Sequence, residues 1–120
     1  MVCIYDVIDF IRDRFATYDK YTDDEIHNII SEHIKYGTIS ILLDKKTVVG
    51  LMRVNINGNV TDILDMAVRE GYDSKQIIRE MALEIWKRFP YLKYFKYYRS
   101  IKYPLKKAKI YTIKRLMKVK

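Results

Sequence analysis

Apolar positions recur at helical spacing from the first residues of the chain. Ile4, Val7, Ile8, Ile11 and Phe15 fall on one face, while Asp6, Asp9, Arg12 and Asp13 fall on the other. This spacing predicts an amphipathic helix over residues 4–16. Thr22-Asp23-Asp24-Glu25 has the form of a capping box, in which a hydroxyl and a carboxylate satisfy each other's backbone amides. It opens a second helix with Ile26, Ile29, Ile30 and Ile34 on one face, and Gly37 supplies a left-handed stop.

From Thr38 the period changes from helical to strand-like. Residues 38–44 and 47–56 read as strands around a Lys45-Lys46 turn, and Asn57-Gly58-Asn59 signals a hairpin into a third strand over 60–68. These three strands predict an antiparallel meander. Gly50 inside its strand implies either close packing or a bulge. Residues 70–73 break the pattern, and Asp73 or Ser74 then caps a third helix bearing Ile77, Ile78, Met81, Ala82, Ile85 and Trp86, which Pro90 ends. Residues 92–99 read as a strand, and after a basic link around Pro104, residues 109–117 read as the last. The order is α-α-β-β-β-α-β-β, without repeat or linker, so residues 1–120 form one domain. The strand-helix-strand unit over 60–99 calls for a parallel crossover pair. The expected fold class is therefore α/β (α+β), with a mixed, mainly antiparallel sheet flanked by helices.

Composition sharpens this picture at three points. The chain is 49% apolar and 13% aromatic over its 120 residues, enough to form a core and to exclude a disordered polymer. It has one cysteine, Cys3, so no internal disulfide can form; this fits a reducing, cytoplasmic compartment, and Cys3 reads as a small buried apolar residue. Met1 leads directly into the first helical pattern without a leader, and no apolar run reaches the roughly 20 residues of a membrane span, so no membrane partner is expected.

The net charge is +8, unevenly spread. Residues 1–84 carry 10 basic and 15 acidic side chains, whereas residues 85–120 carry 13 basic side chains and no acidic one. The basic third presents Lys93, Lys96, Arg99, Lys102, Lys106, Lys107, Lys109, Lys114 and Arg115, interleaved with tyrosines. Such a surface fits nucleic acid or another polyanion, an acidic assembly protein, or the acidic body of a second copy. No helix-turn-helix or zinc-knuckle pattern supports sequence-specific reading of nucleic acid. The histidines, His27 and His33, stand six residues apart without metal-ligand spacing and read as surface or boundary residues.

Asp62 and Asp65 lie in the third strand, where a general base can face an amine. Three apart on a regular strand, they point to opposite faces, so at most one faces a cleft; the plainer reading of each is a solvated or edge carboxylate. Tyr103 is the nearest candidate general acid, one tyrosine among many.

The element order, and the stretch Asp62-Ile63-Leu64-Asp65-Met66-Ala67-Val68 followed by residues 69–75 and the helix from Gln76, resemble the GNAT superfamily of N-acetyltransferases. In that family the loop after the central strand turns successive backbone amides toward the pyrophosphate of coenzyme A. The resemblance implies a thioester arm along Met66, Ala67 and Val68, and a pyrophosphate at Tyr72, Ser74, Lys75 and Gln76. The loop departs from the family pattern. Only Gly71 remains of its glycines, Glu70 and Asp73 place negative charge at the pyrophosphate position, and Ile77 and Ile78 stand where small residues are needed. The stretch around Pro104 is too short and basic for the family's last helix. In this form the chain is similar to small GNAT-like proteins of tailed bacteriophages, some of them virion components, and its Ile, Lys and Tyr bias suits an AT-rich source.

The expectation is therefore a non-catalytic, GNAT-like structural or assembly protein without cofactor, acting as an oligomer, with a bacteriophage virion component as its expected setting. The alternatives are an acetyl-coenzyme A-dependent N-acyltransferase and a basic nucleic-acid-binding module.

Overall fold

The computed structural model describes residues 3–97 and 109–112. The first helix, α1, spans Ile4–Arg14 and leads through a single 3-10 turn, Ala16–Tyr18, into α2, Asp23–Tyr36. Strands β1 (Ile39–Asp44), β2 (Thr47–Asn57) and β3 (Val60–Val68) follow, then α3 (Ser74–Arg88), β4 (Tyr94–Tyr97) and β5 (Lys109–Thr112). The α1 pattern ends two residues before its apolar periodicity suggests, because Phe15 leaves helical geometry and the 3-10 turn takes over.

The strands form one sheet in the order β1-β2-β3-β4-β5. β1–β2, β2–β3 and β4–β5 pair antiparallel, whereas β3 and β4, joined through α3, pair parallel. This is the mixed, mainly antiparallel α+β architecture that the sequence pattern predicts. Of the strands expected over 92–99 and 109–117, the described parts are β4 and β5; the remaining positions lie outside the described residues.

Local signals act where the chain places them. Thr22 Oγ1 accepts from the Glu25 amide at 3.1 Å while Glu25 Oε1 accepts from the Thr22 amide at 2.9 Å, closing the capping box of α2. Gly37 ends that helix at φ 72°, a left-handed conformation that costs a Cβ-bearing residue roughly 1–2 kcal/mol. Asp73, not Ser74, caps α3. Cys3 is exposed, contrary to its expected burial. It stands at the N-cap of α1, ahead of the first inward position, so no core is there to receive it.

β2 is covered on both faces, which is why its sequence runs nearly continuously apolar. On one face, Leu51 and Val48 meet Val7, Phe10 and Ile11 of α1 and Ile26 and Ile30 of α2. On the other, Met52 and Val54 meet Met81, Ala82 and Ile85 of α3 together with Phe95 of β4. Gly50 lets α3 approach this second face. A Cβ there would stand 2.6 Å from Ile77 Cγ2 and 3.1 Å from Met81 Sδ. The β1–β2 register also shifts beside it, between Leu42 and Leu43, so close packing and a bulge coincide. Arg88 at the end of α3 donates to the Gly37 and Ile39 carbonyls at 3.0 and 2.6 Å and ties the helix to the start of β1. Among the described residues, no helix is long and apolar enough to cross a membrane.

Two measurements test this packing. Gly50→Ala is expected to lower stability to urea by about 1–3 kcal/mol, and Ile77→Ala added to it to recover part of the loss. Thr61 is fully buried and its hydroxyl has no hydrogen-bond partner among the described residues. Thr61→Val is therefore expected to be neutral or to stabilise by up to about 1 kcal/mol, read from the same denaturation midpoints.

Candidate functional site

Between α2 and the sheet lies a cleft of ≈ 620 Å³. The 3-10 turn supplies Tyr18 and the segment after it Tyr21; α2 supplies Ile29, Glu32, His33 and Tyr36; β2 supplies Arg53 and Asn55, and β3 supplies Asp65. Helical spacing places Ile29, Glu32, His33 and Tyr36 on one side of α2, and the two-residue period of β2 places Arg53 and Asn55 on the face opposite Met52 and Val54.

A bulge builds the floor of the cleft. From the hairpin turn, pairing runs Asn57 with Val60, Ile56 with Thr61, Asn55 with Asp62 and Val54 with Ile63. Continued regularly, it would set Arg53 opposite Leu64. Instead the register shifts there, and Arg53 stands opposite Asp65. One extra residue re-aims every later side chain of β3. Leu64 is left 46% exposed, and Arg53 Nε donates to Asp65 Oδ2 at 2.7 Å. This corrects the expectation that Asp62 and Asp65 point to opposite faces. Their partners Asn55 and Arg53 share one face of β2, so the two carboxylates share that face of β3. Only Asp65 lines the cleft; Asp62 sits beside Lys96 in the β3–β4 register.

Asp65 Oδ2 also accepts from the Tyr18 hydroxyl. Arg53 Nη1 donates to His33 Nε2 at 3.2 Å. A guanidinium has no acceptor, so Nε2 is the accepting nitrogen and the proton resides on Nδ1, which donates to Thr38 Oγ1 at 2.7 Å. A continuous chain of hydrogen bonds thus runs Thr38, His33, Arg53, Asp65, Tyr18. Burial lowers the His33 pKa from its ordinary value, and the adjacent Arg53 charge lowers it further. Burial raises the Tyr18 pKa, reinforced by its hydrogen bond to the Asp65 carboxylate and by that charge. Tyr18 is a donor here and not a base. His33 Nε2, the atom through which a neutral imidazole takes a proton, is engaged by Arg53. The network holds a geometry that joins α2, β2, β3 and the 3-10 turn.

The loop from β3 to α3 is satisfied internally as well. Arg69 Nε donates to the Val48 carbonyl at 2.7 Å, and Tyr72 donates through its hydroxyl to Asp44 Oδ2 at 2.7 Å. Asp73 Oδ1 accepts from the Lys75 and Gln76 amides at 3.1 and 3.4 Å. These are two of the amides that a bound pyrophosphate would require, and the group on them already carries negative charge. The residues present do not fit coenzyme A. Ser74 is exposed at the first turn of α3, and Met66 and Val68 pack toward α3 while Ala67 packs toward α1 and α2.

Sequence reasoning singled out Asp65 but missed Tyr18, His33 and Arg53. Arg53 carried a signal: a cation inside the apolar run Val48–Val54. Its partner was hidden because hairpin counting pairs it with Leu64. Of the basic surface, Lys93 is exposed and its amide donates to the Asn59 carbonyl, and Lys96 lies mid-strand in β4. Lys109 opens β5. Arg99, Lys102, Tyr103, Lys106, Lys107, Lys114 and Arg115 lie outside the described residues. Comparison of the chain with protein-family models, with curated proteins and with solved structures found no match.

The side chains of Arg53 and Asp65 are 19% and 12% exposed, so removing one charge strands the other. Arg53→Leu is expected to cost about 2–3 kcal/mol in chemical denaturation, and Arg53→Leu/Asp65→Leu to recover at least about 1 kcal/mol of it. His33 binds its proton more weakly folded than unfolded. Its contribution to stability is therefore present above the unfolded value of about 6.5 and is lost as pH falls through the lower folded value. The urea midpoint of the wild type should drop between about pH 7 and pH 5 more steeply than that of His33→Gln.

Proposed function

We propose that this chain is a non-catalytic protein of acetyltransferase-like architecture that works as a component of a larger assembly. The observation that carries this reading is the Asp73 carboxylate on the Lys75 and Gln76 amides in the first turn of α3. It fills and charges the place where a coenzyme A-dependent enzyme needs empty, electropositive backbone donors. The engaged state of His33 adds to it, since its accepting nitrogen is held by Arg53.

The partner is a second copy or another acidic assembly protein. Acidic side chains cluster at the start of the chain, where Asp6, Asp9 and Asp13 border a shallow hollow with Lys46 and Arg69. The basic side chains concentrate after residue 84. Contact between unlike surfaces of successive copies is heterologous, the kind of contact that builds rings and decorated lattices. A virion is one such assembly.

Calorimetry and sedimentation test this together. Titration with coenzyme A and acetyl-coenzyme A to about 1 mM should give no binding heat, and sedimentation should reveal species larger than a monomer that dissociate as salt rises. Micromolar binding of coenzyme A that Ser74→Glu abolishes would overturn the reading in favour of an N-acyltransferase. A monomer at every concentration and salt would remove the self-assembly.

A further inference from the structure

The cleft between α2 and the sheet has a recognition chemistry that the assembly reading does not use. Its inner part is electrically balanced. Arg53 and Asp65 are paired, and His33 is held neutral by donating through Nδ1 and accepting at Nε2. The remaining carboxylate, Glu32, is exposed, so water screens it. A charged ligand entering here must compete with one member of the ion pair for the other. An uncharged ligand meets no such cost.

The pair is also incompletely used. Arg53 spends Nε on Asp65 and Nη1 on His33, while Asp65 receives both of its bonds, from Arg53 and from Tyr18, on Oδ2. Among the described residues, Arg53 Nη2 and Asp65 Oδ1 make no hydrogen bond. One ion pair, both of whose residues line the cleft, is therefore left with a donor on one member and an acceptor on the other. The complement of such a pair is a flat group with an acceptor next to a donor, as on the edge of a nucleobase. Tyrosines supply aromatic surface beside it. Tyr21 and Tyr36, which line the cleft, are 42% and 60% exposed. The Tyr21 ring packs tilted against Tyr18 at 5.7 Å and Lys35 Nζ stands 5.5 Å from the Tyr36 ring, so each ring is engaged on one side and keeps exposed area for a flat ring. Asn55, exposed and also lining the cleft, adds an amide edge. A volume of ≈ 620 Å³ lies in the ordinary range for a small-molecule site and admits a base with its sugar.

We propose that this cleft recognises an uncharged nucleobase, hydrogen-bonded edge-on to Arg53 and Asp65 and stacked on the rim tyrosines. The proposal is independent of the coenzyme A argument, because it concerns the opposite face of the sheet from α3.

The test is a titration of isotope-labelled full chain with uridine, cytidine and guanosine, followed by amide and side-chain resonances. Uridine should shift Arg53, Asn55 and Tyr36 with saturation below about 10 mM. In 3-methyluridine the base keeps its ring but loses the N–H donor, and it should bind about five-fold or more weakly. Tyr36→Ala removes an exposed ring without touching the core and should weaken uridine by about five-fold or more, with the amide spectrum otherwise preserved. Tighter binding of a short oligothymidylate than of thymidine would assign the base to a single strand, and equal binding to a free nucleoside; either upholds the proposal. Absence of shifts with all three nucleosides, equal binding of uridine and 3-methyluridine, or a larger response to butylamine or acetate would overturn it.

Discussion

One extra residue in β3 decides what kind of site this protein has. A regular β2–β3 hairpin would oppose a guanidinium to a leucine, leaving Arg53 to enter a half-buried position without a counter-charge. Burying an ion unpaired costs several kcal/mol, far more than the disruption of one ladder position. The bulge at Leu64 relieves this by expelling the leucine toward solvent and advancing Asp65 by one place. Everything on that face follows: Tyr18 finds its acceptor, His33 finds its donor, and α2 is tied to the sheet by polar bonds at one end and by Ile26 and Ile30 at the other.

The two faces of the sheet are solved differently. Against α3 the packing is apolar and close, with Gly50 surrendering its side chain so that Ile77 and Met81 can approach. Against α1 and α2 the apolar contact covers only half of the face, near Leu51 and Val48, and gives way along β2 to Arg53 and Asn55. A polar network of this kind is stable only when its members are paired, and here every residue in the chain of bonds from Thr38 to Tyr18 has a hydrogen-bond partner within it.

The α3 N-terminus follows that logic at the other end of β3. Backbone amides at a helix start need acceptors, and a protein that binds a phosphate leaves them for the ligand. Asp73 instead supplies the acceptor from within the chain, which stabilises the helix by roughly 1 kcal/mol and occupies the Lys75 and Gln76 amides.

The sequence by itself determined the elements and their order. The capping box of α2, the left-handed stop at Gly37, the hairpin at Gly58 and the switch from helical to alternating periodicity act within a few residues, so they are legible in one dimension. The parallel return through α3 was legible too, because few connections can join two strands by a helix. The capping role of Asp73 was half legible, as one of two adjacent candidates. What tertiary structure alone decided is the register: whether β3 is regular or bulged is set by the balance between a ladder bond and the pairing of Arg53, which is not local. Asp62 and Asp65 share a face, Arg53 meets Asp65, and His33 joins the site from a helix twenty residues away, only because that balance falls on the side of the bulge. Cys3 was misjudged for a related reason, since burial depends on where the sheet lies relative to the start of α1 and not on the residue's own preference.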